Sequence, residues 1–264
     1  MINQDQATTC NIMGVNICVT NMDETVNTIM SNLEDWRGSY ICVSNVHTTV
    51  MASENEDYKN IQNSAVMVLP DGAPLSQYCH EKGFYEAERV TGPDLMQRLL
   101  AINENNNKKK DQIGQISQEQ HNTLCHFFYG STEETLCKLK QVIKERYPNA
   151  EICGVISPPF RELNDDEDKQ IIDKINNANP DIVWVGLGAP KQEIWMYNHQ
   201  NKIKALMIGV GAAFDYESGN IKRAPKWMQK MSLEWLYRLI QDPKRLFKRY
   251  FTTNIKYMLW KRKN

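Results

Sequence analysis

Val66-Met67-Val68-Leu69-Pro70-Asp71-Gly72-Ala73-Pro74 is the stretch on which the fold turns. Its four leading apolar residues predict a short buried strand. Pro70 ends that strand, because proline brings no N–H to the ladder. Asp71-Gly72 predicts a tight turn, and Ala73-Pro74 predicts the first turn of a helix, where proline's missing N–H goes unused. A lone carboxylate is thereby presented at the C-terminal end of a buried strand, the edge of an open α/β sheet at which ligands bind. Asp-Gly is also plain turn chemistry in any protein, so the neighbouring stretches must decide between the two readings.

Upstream, residues 12–19 read as one extended segment with a glycine bend. Asn21, with Glu24 three residues on, resembles a capped helix start, and Val26, Ile29, Met30 and Leu33 follow at helical spacing. Tyr40-Ile41-Cys42-Val43 predicts a strand ended by Ser44-Asn45, with a helical stretch through Val50-Met51-Ala52 behind it. Downstream, Thr91-Gly92-Pro93 predicts a turn launching a helix that carries Leu95, Met96, Leu99 and Leu100. Arg89 sits just before that turn, either as a solvated arginine or as an anion contact near a helix N-terminus. Residues 103–122 are rich in Asn, Lys and Gln and cannot bury a core face, so an exposed, mobile insertion is expected there.

Strand and helix signals then alternate. Cys125–Gly130 predicts a strand, Ser131 and Glu134 a capping box, and Leu136, Leu139, Val142 and Ile143 the apolar stripe of its helix. Ile152-Cys153-Gly154-Val155 predicts the next strand, and Asn164 with Glu167 a second capping box. Asp165, Asp166 and Asp168 fit the acid-favouring first turn of that helix better than a metal cluster. Ile182–Gly188 and Leu206–Gly211 predict two more strands. This alternation implies an α/β fold, a mostly parallel, Rossmann-like sheet with helices on both faces. Gly188-Ala189-Pro190-Lys191-Gln192-Glu193 follows one strand end. Its small residues and free N–H groups suit a phosphate or sugar cradle, though a bare helix start with exposed polar residues fits the same spacing. It is neither a Walker loop nor a dinucleotide fingerprint.

The formal net charge of −1 hides a split: residues 222–264 hold 13 Lys/Arg and 2 Asp/Glu, against 18 and 30 in residues 1–221. We therefore divide the chain into an α/β domain, 1–221, and a basic helical appendage, 222–264. Within the appendage one helix is expected to carry Lys230, Met231, Leu233, Trp235, Leu236, Arg238 and Leu239, and another to start at Asp242-Pro243. Trp235, Phe247, Tyr250, Phe251, Met258 and Leu259 interleave with Lys and Arg there, the composition of an interfacial helix on an anionic membrane surface. The same residues fit a helix packed on the domain with a solvated basic face. No nucleic-acid motif accompanies the charge. Seven cysteines, an odd number without Cys-x-x-Cys, suggest neither a disulfide framework nor a zinc site. The start lacks a signal-peptide apolar core, and no run approaches a membrane span, so a cytoplasmic protein is expected.

Four stretches resemble the WecG/TagA/CpsF family of bacterial glycosyltransferases, in the family's order. They are Leu69-Pro70-Asp71-Gly72; Glu88-Arg89-Val90-Thr91-Gly92; Gly186 to Glu193; and Arg223-Ala224-Pro225-Lys226-Trp227 through Leu239. The resemblance covers most of residues 12–102 and 123–250. It implies transfer of N-acetylmannosamine or its uronic acid from a UDP-sugar donor to a polyprenyl-diphosphate-linked N-acetylglucosamine, at the inner face of the cell membrane. By that resemblance Asp71 takes the place of the catalytic base, and Arg89 and Gln192 match active-site positions. Asn45, Ser44, Gly72, Gly188 and Lys191 fall in the substrate-binding stretches, and Arg238 and Arg245 match appendage arginines that complete the site. The family often has Thr-Pro-Asn where this chain has Val43-Ser44-Asn45, so the usual threonine hydroxyl is either missing or moved to Ser44. No cofactor is expected. No metal is expected either, since the one Asp-x-Asp, Asp166 to Asp168, lies in the expected helix cap. The arginines are expected to meet the charge of the departing UDP instead. A homo-oligomer stays open. Two other readings also stay open: an α/β enzyme acting on a soluble nucleotide or sugar, and a non-catalytic basic adaptor.

Overall fold

The computed structural model describes residues 8–102 and 123–264, apart from the side chains of Lys230 and Arg245. The expected insertion, 103–122, lies outside the described residues.

The described residues open with an antiparallel hairpin, β1 (Thr9–Ile12) and β2 (Val15–Cys18). This corrects the single extended segment expected there. Met13 and Gly14 both take positive φ, 55° and 89°, which is the two-residue turn whose twist matches a hairpin.

Next come α1 (Met22–Asn32), β3 (Tyr40–Ser44), α2 (Val46–Glu54), α3 (Glu56–Asn63), β4 (Met67–Pro70), α4 (Ala73–Glu81) and α5 (Gly92–Leu100). After the insertion follow β5 (Cys125–Gly130), α6 (Glu133–Arg146), β6 (Glu151–Ile156), α7 (Asp165–Asn177), β7 (Ile182–Gly186), α8 (Lys191–Asn198), β8 (Leu206–Gly209) and α9 (Ala213–Glu217). Six strands form one parallel sheet in the order β4-β3-β8-β7-β5-β6. From β3 the chain adds β4 at one margin, crosses to β5 and β6 at the other, and returns through β7 to place β8 in the middle.

Both faces of the sheet are covered, which is why its strands read as unbroken apolar runs rather than alternating ones. Tyr40, Cys42, Phe127, Val183 and Met207 pack with Val50, Leu75, Ile175, Met196 and Tyr257 on one side. Ile41, Val43, Phe128, Trp184 and Ile208 pack with Ile29, Leu95, Leu139 and Phe214 on the other. Successive strand residues thus serve opposite cores, as the two-residue repeat of a strand demands.

Asn21 and Asn164 cap α1 and α7 as expected. The cap of α6 is Thr132, which accepts from Thr135 N, and not Ser131. Ser131 instead sits at φ 58°, a left-handed turn that shifts the helix start by one residue.

The C-terminal part forms α10 (Lys226–Lys230), α11 (Glu234–Gln241) and α12 (Pro243–Lys261). The single helix expected to carry Lys230 through Leu239 is broken at Ser232, whose φ is 60°. Helix α12 lies against α2 and α4. Tyr257 donates to Pro74 O at 2.8 Å, the Trp260 ring lies tilted against Tyr78 with centroids 5.0 Å apart, and Lys261 pairs with Glu81 at 2.7 Å. No helix of the described residues is long and apolar enough to cross a membrane.

Candidate active site

Asp71 follows β4 directly. Its N–H donates to Ser44 O at 2.8 Å, which extends the β3–β4 pairing by one residue and fixes the main chain at the sheet edge. Gly72 then begins α4, with Pro74 in its first turn. The Asp71 side chain is 29% exposed, enough to reach a ligand.

Val90 N donates to Pro70 O at 2.8 Å and draws the next segment alongside. Arg89 is thereby delivered to the carboxylate. Its Nε donates to the Asp71 main-chain oxygen at 2.6 Å, and one terminal nitrogen lies 4.0 Å from Asp71 Oδ1. The same nitrogen donates to Glu234 Oε2 at 2.5 Å. Glu234 Oε1 accepts from Arg223 Nε at 3.0 Å, and Arg223 makes a two-pronged contact with Asp94 at 2.5 and 2.8 Å. Asp94 in turn accepts from Thr91, the cap of α5. Arg238 lies over the Tyr216 ring, 5.7 Å from its centre. An alternating chain of acids and bases thus ties the C-terminal segment to the mouth of the sheet.

These neighbours set the proton affinity of Asp71. Burial pushes its carboxyl above the ordinary value, Arg89 pulls it down, Glu234 pushes it up, and Arg238 and Arg223 pull it down again. The net shift is upward, which makes Asp71 a stronger base than a solvated aspartate. Asp94 goes the other way. Its burial is outweighed by hydrogen bonds from Arg223 and Thr91, and its carboxyl falls below the ordinary value.

The other expected site residues fall into two groups. Asn45 caps α2, accepting from His47 N at 3.0 Å and Thr48 N at 3.3 Å, and it lies beside Gly72. Ser44 is fully buried and donates to Gln62 at 2.5 Å, so its hydroxyl faces the interior, away from the mouth of the sheet. Gly188, Lys191 and Gln192 lie past the end of β7, three strands from β4. That separation is about 14 Å at ordinary strand spacing, room for an extended ligand. Gly188 has φ +76° with open space where a side chain would stand, and Lys191 is exposed.

Gln192 is buried. Its Oε1 accepts from Gly188 N at 3.2 Å and Gly211 N at 3.0 Å, and its Nε2 donates to Glu193 at 2.8 Å. Glu193 is fully buried and also accepts from Tyr58, which accepts from Gln62. This polar chain runs under the sheet edge from Ser44 to the loops after β7 and β8. Burial pushes the Glu193 carboxyl up against the hydrogen bonds it receives. Arg245 lies in the first turn of α12; its side chain is outside the described ones.

A groove of about 370 Å³ opens between α2 and α12, lined by His47, Lys248, Arg249, Thr252 and Lys256 among others. Burial, with Arg249 adding to it, pushes the His47 imidazole down to about 4, so it stays neutral while the lysines and arginine supply the charge. Among the described residues no three His, Cys, Asp or Glu side chains converge as a metal ion would require.

Sequence reasoning missed Glu234, Arg223, Asp94 and the Glu193–Tyr58–Gln62 chain as parts of the site. The Arg223 and Glu234 stretches were visible only as resemblance, since partners so far apart in sequence leave no spacing signal. For Glu193 the only signal was a carboxylate beside Gln192, in a helix whose exposed start hid its burial.

Comparison with known proteins follows the same line. The model of the glycosyl transferase WecG/TagA/CpsF family matches residues 10–263. An N-acetylglucosaminyldiphosphoundecaprenol N-acetyl-beta-D-mannosaminyltransferase of Bacillus subtilis is 33% identical over 208 residues, 78% of this chain and 73% of that protein. Proteins of the same name from Bacillus spizizenii and Staphylococcus aureus are 29% and 28% identical, over 85% and 89% of this chain and 81% and 85% of their own lengths. With its parallel sheet, edge carboxylate and matched length, the chain belongs to the WecG/TagA/CpsF family and is a glycosyltransferase.

Proposed function

We propose that the chain moves N-acetylmannosamine from UDP to a polyprenyl-diphosphate-linked N-acetylglucosamine in the assembly of a cell-wall polymer. The names of the relatives in Bacillus and Staphylococcus support that donor sugar and acceptor. The observation that carries the mechanism is Asp71, a half-buried carboxylate of raised proton affinity at the edge of a parallel sheet with arginines beside it.

An acceptor hydroxyl attacks poorly until its proton has somewhere to go. Asp71, ionised near neutrality, takes that proton as the new glycosidic bond forms. The bond from the anomeric carbon to UDP breaks in the same step, and its electron pair leaves on the phosphate oxygen. A single displacement inverts the anomeric centre. Arg238, joined by Arg245 on the strength of the family resemblance, supplies positive charge for the departing diphosphate, the role a metal fills elsewhere. The loops at Gly188 and Gly211, pinned by Gln192, hold the nucleotide end of the donor. The basic groove between α2 and α12 receives the acceptor's own diphosphate.

The appendage places this chemistry at a bilayer. Trp227, Ile240, Phe247, Phe251 and Met258 are exposed, all on the C-terminal helices α10, α11 and α12. With basic residues between them, they form the surface of a peripheral protein docked on anionic lipid.

The test is a transfer assay with purified chain, a panel of UDP-sugars and a soluble lipid-diphosphate acceptor analogue. UDP-N-acetylmannosamine should be used far better than its epimers. Asp71→Asn should abolish transfer with the circular dichroism spectrum unchanged; full turnover by that variant would remove Asp71 from the mechanism.

A further inference from the structure

Glu234 is one of two acids among the 13 basic residues of the C-terminal segment, and its side chain is only 10% exposed. Desolvating a carboxylate to that degree is costly unless it is fully paired. Its two oxygens are taken by two different arginines, Arg89 at 2.5 Å and Arg223 at 3.0 Å. Holding the segment in place does not require this arrangement: Arg223 is already gripped by Asp94, and α12 has its own contacts to α2 and α4.

The consequence falls on Arg89. A guanidinium beside an open carboxylate closes onto it as a short, charge-assisted pair. Here the terminal nitrogen of Arg89 is 4.0 Å from Asp71 Oδ1, beyond hydrogen-bond reach, and is turned to Glu234 instead. The Nε of Arg89 meanwhile grips the Asp71 main-chain oxygen.

We infer that Glu234 is a positioning residue: by holding Arg89 it keeps that guanidinium off the Asp71 carboxylate, whose oxygen stays open to an incoming hydroxyl. The inference rests on the reading of Asp71 as the base. Glu234 itself exchanges no proton; the proton passes from the acceptor oxygen to Asp71 as the sugar leaves UDP.

The charged and titratable groups around Asp71 come from four places. They are Arg89 before α5, Arg223 before α10, Glu234 and Arg238 on α11, and Tyr216 on α9. Glu234 is the acid among them that offsets the arginines. Replacing it by a neutral residue removes that negative charge and frees Arg89 to close on Asp71. Both effects lower the proton affinity of Asp71, so they act with one sign.

The test uses the full chain as wild type, Glu234→Gln, Glu234→Asp and Glu234→Leu. The Asp71 carboxyl carbon is titrated by carbon-13 NMR, assigned with Asp71→Asn, and the pH profile of transfer to the soluble acceptor analogue is measured alongside. In Glu234→Gln the midpoint should fall by about one pH unit, and the acidic limb of kcat should move with it. At neutral pH kcat should drop about tenfold, with KM for the donor little changed. Glu234→Asp should keep the wild-type midpoint and recover most of kcat. Glu234→Leu removes the charge without leaving a polar atom at 234, and carries the comparison if the Gln variant does not fold. A mere staple would lower activity with the midpoint and limb unmoved, and that result overturns the inference. Full turnover by Asp71→Asn overturns the assignment of the base itself, whatever Glu234 does.

Discussion

Asp71 and Gln192 show how differently two polar residues at one sheet edge can work. Asp71 keeps an exposed face, and in the role of base proposed above its raised proton affinity would set an acid limit on transfer. Activity should be lost as pH falls through a value above the ordinary aspartate range, because the protonated carboxyl cannot accept a proton. A profile of kcat from pH 3 upward, with an Asp71→Glu control, measures that limit. Gln192 has its amide committed to Gly188, Gly211 and Glu193. Gln192→Ala strands those buried groups, so it should cost about 2–4 kcal/mol of stability in urea unfolding, and lose activity through the loops it pins. Glu193 adds a pH signature. Its folded carboxyl is raised, so its contribution is whole below the unfolded glutamate value and fades as pH rises through the folded one. The urea midpoint of Glu193→Gln should therefore fall less than that of wild type as pH rises above the ordinary glutamate value. Asp71 was legible because a carboxylate after four apolar residues and a proline has few places to go. Glu193 was not, because burial of a helix's first turn is decided by strands distant in sequence.

Among the elements, the strands and their helices were legible wherever apolar spacing was unbroken, as in α5 and α7. The misreadings lie at single left-handed residues. Met13, Ser131 and Ser232 take positive φ without being glycine, and nothing in their chemistry announces it. They turn an extended run into a hairpin, move a cap, and split one helix into α10 and α11. The tight joint of β5 and β7 is stricter still. A Cβ on Gly130 would stand 2.6 Å from the Gly186 carbonyl carbon, at φ +129°. Gly130→Ala should cost about 1–3 kcal/mol from strain at that backbone alone, read as a lower urea midpoint, with activity falling because the sheet edge shifts.

At the scale of the whole molecule, the charge split along the chain becomes a division of labour. The acidic majority wraps the sheet, and the basic segment lies over its mouth with apolar side chains facing outward. Binding to vesicles of anionic lipid should be strong at low salt and weaken as ionic strength rises, since exposed charges are screened within about 8–10 Å. Replacing Phe247 and Phe251 together by Ala should weaken vesicle binding at every salt concentration, and most at high salt where charge attraction is screened, while leaving the fold intact, as read by flotation and circular dichroism.

The bridge from Arg89 to Glu234 joins residues 145 positions apart. A nascent chain emerging from the ribosome therefore presents its carboxylate long before the partners that tune it have been synthesised. Until the C-terminal helices are made and folded back, Arg89 has no Glu234 to hold it and Asp94 has no Arg223.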